Sequence, residues 1–318
     1  MTEPLLRSGL DRFAEDPDIE LMSPKALTEK ALIEAVQEAE GIAVRSAKLT
    51  PRVVAAARGL RAVSRHGVGY DNIAVDALTD RKIPLLLAIH SNAVSVAEHT
   101  MYFLLSLAKR GRLYDEAARA SSFAFRNAPV AIDIAEKTLT IVGFGRIGSR
   151  LAPRALAFDM TVNVYDPYVE DAVIVEAGCR PVDDLRSVLS QTDFLTVHCP
   201  LNDETRGMIG DRELSLMHPG SFVLNCARGG IVNESALAKA LGENRIAGAG
   251  VDVYETEPPS QNHPFLSNQK MLLSPHSAGV SVEAAARMSF ETADNLIAAL
   301  KGDVRTEALA NPSITLDA

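Results

Sequence analysis

Several ionisable residues stand just past the ends of short apolar runs in the second half of the chain, and their types suit proton-coupled chemistry on an acid. Arg228 follows the run 222–225. Asp252 follows 248–251, with Glu255 and Glu257 soon after, and His276 follows 271–273 in LLSPHSAGV. An arginine fork can bind a carboxylate through two parallel hydrogen bonds. A histidine can hold or release the proton of a hydroxyl near neutral pH. Taken singly, each residue has an ordinary reading: Arg228 as a surface ion-pair partner, Glu257 as a solvated acid ahead of Pro258-Pro259, His276 as a loop histidine. Taken together they point to one rim, because ligands of open α/β sheets bind beyond the C-terminal ends of the strands. The residues His198, Cys199 and Pro200, after the run 194–197, reach the same rim.

A second pattern supplies what such a rim would work with. The apolar run 139–142 leads directly into Gly143-Phe144-Gly145-Arg146-Ile147-Gly148, and a helical pattern continues from there. In this setting the first glycine permits a tight turn, the second lets the backbone approach a pyrophosphate, and the third lets helix and strand pack closely. The helix N-terminus then faces the phosphate charge. Asp166 ends the next strand, 23 residues after Gly143, where an acid would hold the ribose hydroxyls. A carboxylate there repels a 2′-phosphate, so NAD is expected rather than NADP. Without a nucleotide, the same segment reads as a plain strand–turn–helix with a capping aspartate. Beside a nicotinamide, the arginine, acids and histidine form a hydride-transfer constellation.

The elements that must position these groups alternate along the chain, as in parallel sheets with crossover helices. In the first part, strands are expected at 19–22, 42–44, 62–64 and 84–88, with helices at 28–39 and 51–57. A long helix is expected from Ser91 or Asn92 to about Lys109. Residues 111–135 are poorly periodic and read as a connection or arm. In the second series strands are expected at 139–142, 161–165, 194–197, 222–225, 248–251 and 271–273, and the chain closes with a helix over 282–301.

Composition bounds the partners. The 318 residues are 47% hydrophobic and 23% charged, with a net charge of -9. That surface repels phosphate backbones and anionic membrane faces, so neither nucleic acid nor membrane is an expected partner. Cys179, Cys199 and Cys226 lack the spacing of a disulfide framework or a zinc site, so no metal is expected and the thiols fit a cytoplasmic protein. No signal peptide pattern opens the chain.

With these residues in view, the chain resembles the D-isomer-specific 2-hydroxyacid dehydrogenases, a family that includes phosphoglycerate, glycerate and D-lactate dehydrogenases and glyoxylate and hydroxypyruvate reductases. The likeness runs through GVGYDNI, NAVSVAEH, IVGFGRIG, HCPLNDETRGMIG, NCARGGIVNESAL, GVDVYETEPP and SPHSAG, in the family's order. It implies an α/β fold of two doubly wound domains. A flavodoxin-like substrate domain (residues 1–91 and 281–318) would contain an inserted Rossmann NAD-binding domain (residues 92–280).

The resemblance also carries roles. Arg228 would hold the substrate carboxylate and polarise the carbonyl, His276 would be the acid/base, and Glu257 would orient His276 and stabilise its positive form. Asp252 and Cys226 would lie by the nicotinamide, Pro200 and Thr205 would line the adenosine pocket, and His198 and Ser277 join the cofactor contacts. Arg45, His66, Gly67, Val68 and Gly69 would face the substrate, a small 2-oxo or 2-hydroxy acid. The crossings near Ser91 and Gly279 would be hinges that close a cleft, and segment 111–135 would belong to a homodimer contact.

The sequence departs from the family in places. Leu87-Ala88-Ile89-His90 stands where relatives often carry asparagine and proline, which bears on substrate choice. There is no tryptophan. No C-terminal regulatory extension is seen, so feedback control by an appended domain is not expected. Two other readings stay open. One is a phosphorylated substrate of the 3-phosphoglycerate type, with Arg45, Lys48, Arg52 and Arg65 supplying charge. The other is an NADH-binding, corepressor-like protein without turnover.

Overall fold

The apolar runs become parallel strands because both of their faces are covered, which favours near-continuous aliphatic sequence. The structure, a computed structural model, describes residues 1–127 and 129–314. The chain divides into two compact units: Met1–Asn92 with the segment from Val280 onward, and Ala93–Gly279.

In the first unit, helices α1 (Arg7–Ala14) and α2 (Glu29–Ala35) precede β1 (Gly41–Val44). Then follow α3 (Pro51–Ala56), β2 (Ala62–Arg65), α4 (Val75–Thr79) and β3 (Leu85–Leu87). The three strands form a parallel sheet in chain order, β1-β2-β3, so the described residues of this unit show no order reversal. Its faces are covered separately. Leu32, Val53, Val54 and Leu78 pack with Ile42, Val44, Val63 and Leu85 on one side. On the other, Phe13 and the late-chain residues Leu296 and Ile297 pack with Ala43, Ala62 and Leu86. The helix starts follow from their caps: Thr28 and Thr50 accept from Ala31 N and Val53 N, and Pro51 sits in the first turn.

The strand expected at 19–22 does not form. Pro17 and Pro24 bracket it, its Leu21 and Met22 remain exposed, and it has no ladder in the sheet. The helix expected over 28–39 stops at Ala35.

The second unit opens with α5 (Ala93–Ala108) and α6 (Gly111–Arg119). The series β4 (Thr138–Val142), α7 (Gly148–Leu156), β5 (Thr161–Tyr165), α8 (Asp171–Glu176), β6 (Arg180–Pro181) and α9 (Leu185–Val188) follows. It continues with β7 (Phe194–Val197), α10 (Asp211–Leu216), β8 (Phe222–Asn225), α11 (Glu234–Gly242), β9 (Gly248–Val251) and β10 (Met271–Leu273). The strands make one parallel sheet in the order β10-β9-β8-β7-β4-β5-β6. Order reverses between β4 and β7, which is the switch point where α/β sheets bind ligands. Side chains alternate across the sheet: Leu139 and Ile141 enter one core, Val142, Leu195 and Val197 the other. The chain then returns to the first unit through α12 (Val282–Leu300), capped by Ser281.

Two features differ from expectation. Segment 111–135 contains α6, held by ion pairs Arg112–Glu116 and Arg119–Asp115 one turn apart. The helix is amphipathic, with Leu113, Tyr114 and Ala117 on one stripe, yet none of its residues is buried within the chain. The two-residue β6 was not expected either, since a strand ending on Pro181 carries no alternation. No helix among the described residues is long and apolar enough to cross a membrane.

Candidate active site

The C-terminal ends of the second unit's strands carry the polar groups. After β4 the chain turns at Gly143, whose φ is +96° and where an added Cβ would lie 2.8 Å from His198 C and Cys199 N. At Gly148 a Cβ would sit 2.2 Å from Gly143 O, so the third glycine is needed for α7 to start against the turn. At Gly145 a Cβ meets nothing within 4 Å, and Gly145 and Arg146 are exposed while Ile147 is half-buried. The second glycine thus faces open space, with no side chain capping α7. Asp166 follows β5 and fastens the turn. Its Oδ2 accepts Phe144 N at 2.7 Å and its Oδ1 accepts Tyr168 N at 3.0 Å. Turn, open glycine and adjoining acid fit a dinucleotide phosphate and ribose.

After β7, Thr205 is buried. Its hydroxyl donates to Pro200 O at 2.6 Å and accepts Asn202 N at 2.9 Å, so it closes the 200–205 loop. His198 has Nε2 3.0 Å from Thr196 Oγ1, while its Nδ1 is buried without a partner among the described residues. Burial pushes this imidazole down to about 3 from the ordinary 6.5, so it is neutral in the fold. The unfolded chain takes up a proton near pH 6.5 and the folded chain near 3. Stability from this group is therefore whole above pH 6.5 and is lost as pH falls toward 3. Within that window the slope is up to about 1.4 kcal/mol per pH unit. Urea unfolding at pH 6.5, 5.5 and 4.5 should show falling stability, less steeply in His198→Asn. Equal slopes in both proteins would refute the assignment.

After β8, Asn225 clamps the turn that carries Arg228: its Nδ2 donates to Arg228 O at 2.9 Å and its Oδ1 accepts Ala227 N at 3.0 Å. Arg228 is half-buried, and its Nη1 donates to Ala227 O at 2.7 Å. Cys226 is buried, which pushes its thiol up to about 12, and Cys199 is raised to about 11. Neither is a thiolate nucleophile. At Gly229 an added Cβ would lie 2.0 Å from Tyr254 C and O. The loops after β8 and β9 therefore touch, backbone to backbone.

The loop after β9 bears Asp252 and Glu257. Asp252 is 1% exposed. Its Oδ1 accepts Ser274 Oγ and, at 2.8 Å, Ser277 N; its Oδ2 accepts Ala278 N at 2.9 Å. Of the roughly four lone-pair sites of a carboxylate, three are filled by the loop after β10. Glu257 Oε1 accepts Tyr254 N at 3.1 Å, and Glu257 Oε2 lies 2.7 Å from His276 Nδ1. His276 is held at φ +54°, with its backbone N donating to Asp252 O at 2.8 Å. The pair keeps 49% and 37% of its side-chain surface exposed, so both groups remain reachable.

Sequence reasoning found Glu257 and His276, which the structure joins directly, and Arg228 on the adjoining loop. It missed Asn225, His99 and Ser274. It also missed Glu234 and His263, paired at 2.9 Å, where Glu234 Oε1 accepts Glu255 N at 2.8 Å and steadies the 255–263 loop. A polar residue at a strand end or helix start was the only available signal.

The remaining candidates lie in the first unit. Arg45 is exposed, and its backbone N, with Ser46 N and Ala47 N, donates to the Glu3 carboxylate. His66 is buried, 3.2 Å from Ser289 Oγ; burial first, then Arg45 and Arg65, lowers it to about 4, so it is neutral. Gly67 takes φ +116° and its carbonyl accepts Ala88 N at 3.1 Å, while Val68 and Gly69 are half-buried. Leu87, Ala88 and Ile89 are buried, and Glu291 accepts His90 N and Ser91 Oγ.

Comparison with known proteins accords with this geometry. The profile of the D-isomer specific 2-hydroxyacid dehydrogenase, NAD binding domain, matches residues 101–278. The D-3-phosphoglycerate dehydrogenase of Methanocaldococcus jannaschii is 34% identical over 315 residues, covering 99% of this chain and 59% of that protein. The chain thus spans under two thirds of the length of such curated relatives. A D-lactate dehydrogenase from Aquifex aeolicus, solved with NAD and lactic acid, superposes with a TM-score of 0.86 at 27% identity, covering 96% of this chain and 97% of that one. An NAD-dependent formate dehydrogenase from Staphylococcus aureus, solved with NAD, gives 0.80 at 28% identity, covering 95% and 91%.

Proposed function

This chain belongs to the D-isomer-specific 2-hydroxyacid dehydrogenase family, and on that footing we propose that it interconverts a small (R)-2-hydroxy acid and its 2-oxo acid with NAD. The observation that carries the reading is the 2.7 Å contact of His276 Nδ1 with Glu257 Oε2 on the rim of a dinucleotide-type sheet. NAD, when bound, carries the hydride. Gly143, Gly145 and Gly148 would admit its pyrophosphate, Asp166 its ribose, and the loops of Pro200–Thr205 and Cys226 would border its two ends.

The chain's own groups supply the rest. Glu257 accepts the Nδ1 proton of His276, which leaves Nε2 as the working nitrogen. In its charged form Nε2–H donates to the carbonyl oxygen of a 2-oxo acid; in its neutral form Nε2 takes the hydroxyl proton in the reverse direction. Arg228 binds the carboxylate and stabilises charge building on the reacting oxygen. Gly67, Val68 and Gly69, with Arg45, are the proposed substrate contacts of the first unit, and neutral His66 serves there as an orienting rather than a charged group. A homodimer built on the 111–135 segment is supported by Leu113 and Phe123, whose side chains are exposed.

The phosphorylated-substrate reading draws on the named relatives, but Arg52 is paired with Glu29 at 3.1 Å and the amides of 45–47 are filled by Glu3. NADH oxidation measured over glyoxylate, pyruvate, hydroxypyruvate and its phosphorylated form decides between them. An unphosphorylated acid should be preferred, and NADH over NADPH. Turnover of none of them would overturn the enzyme reading in favour of an NADH-responsive binding protein.

A further inference from the structure

The loop that holds His276 is tied to a residue far away in sequence. His99, on α5, has Nε2 3.0 Å from Ser274 Oγ, and Ser274 Oγ donates in turn to Asp252. We propose that His99 is a positioning residue for His276, acting through Ser274 and Asp252; this rests on the reading of His276 as the acid/base.

The hydrogen-bond bookkeeping fixes each donor. The Asp252 carboxylate only accepts, so the single Ser274 hydroxyl proton points to it. Ser274 Oγ can then only accept from His99, which must carry its proton on Nε2. Burial holds His99 below the ordinary histidine range, against the opposing pull of Asp252, so the neutral ring keeps that one tautomer. With Ser274 fixed, Asp252 is aimed at the amides of Ser277 and Ala278, at 2.8 and 2.9 Å. The chain between these ties contains His276, in a left-handed conformation that a non-glycine residue holds only when its surroundings impose it. Tyr254 Oη adds a bond to Ser274 O at 3.3 Å.

The competing account is packing alone, since the His99 ring meets Phe103 edge-on at 4.5 Å and Tyr102 at 5.4 Å. Two substitutions separate the accounts. His99→Phe keeps an aromatic ring and removes the donor; His99→Gln keeps an N–H donor and removes the ring. Positioning predicts that kcat falls about tenfold or more in His99→Phe with KM little changed, and stays within about threefold of wild type in His99→Gln. The reverse ranking, or two variants equal to wild type, overturns the proposal. Ser274→Ala breaks the link at its centre and leaves His99 packed, so it should reproduce the phenylalanine result even if His99→Phe folds poorly; an unchanged kcat there also overturns it. The NMR titration of the His276 ring reads positioning without turnover. Should the wild type reduce no 2-oxo acid, the functional reading fails by itself, and the titration still decides: a midpoint displaced in His99→Phe and kept in His99→Gln supports the role, and identical midpoints refute it.

Discussion

Substituting His276 by asparagine should lower kcat by about 10²–10⁴-fold, the usual worth of a positioned general acid, while the fold stays intact. Asparagine is the informative choice because His276 sits at φ +54°. Asparagine tolerates that left-handed region better than histidine or alanine, both of which carry the Cβ penalty of roughly 1 kcal/mol. His276→Ala should lose rate at unchanged backbone strain, and His276→Asn should lose rate with no loss of stability. The side chain is half exposed, so neither change opens a cavity. KM for the 2-oxo acid should change little, because the proposed carboxylate partner Arg228 is untouched, and NADH affinity should be unchanged. Single-turnover NADH oxidation with fluorescence titration of NADH separates these quantities. A variant that keeps wild-type kcat would remove His276 from the mechanism.

The second large effect belongs to a residue with no side chain. Gly229→Ala would put a Cβ 2.0 Å from the Tyr254 carbonyl and 2.4 Å from Glu255 N, both backbone atoms that cannot swing aside. The loops after β8 and β9 would have to separate, carrying Arg228 and Glu257 apart. Overpacking of this kind costs typically 1–3 kcal/mol and sometimes more, and a misplacement near 1 Å costs about 10²-fold in rate. Urea unfolding and kcat/KM should both register the change. Gly230→Ala is the control. It has φ +85°, but an added Cβ would lie 3.7 Å from Leu201 Cδ1, an ordinary contact, so it should show backbone strain of about 1 kcal/mol and a smaller loss of rate. Comparable behaviour of the two variants would mean that the loop contact does not hold the site.

Much of this arrangement is legible in the sequence, for a physical reason. A strand buried on both faces must be a short aliphatic run, and the turn after β4 must have glycine at 143 and 148, so local sequence carries both signals. The rim residues followed because they come directly after those runs. Asp252 is the instructive case. Its place at a strand end was readable, but its partners Ser274, Ser277 and Ala278 lie more than twenty residues on, and His99 lies far before it. No spacing rule connects them. In α6 the apolar stripe is present in the sequence, but it is covered by nothing within the chain, so the pattern marks a helix without marking a core element. The lost strand at 19–22 shows the converse: an apolar tetrapeptide becomes a strand only where a sheet edge accepts it.

The reversal of strand order between β4 and β7 has a practical corollary. The turn that would take the phosphates and the acid that would choose the sugar lie at β4 and β5, while arginine, glutamate and histidine come from the loops after β8, β9 and β10. Five strand spacings, about 24 Å, separate β5 from β10. On the proposed reading, coenzyme preference and proton chemistry would be encoded in separate stretches of the chain, before and after residue 200. Each can drift, or be re-engineered, without rewriting the other.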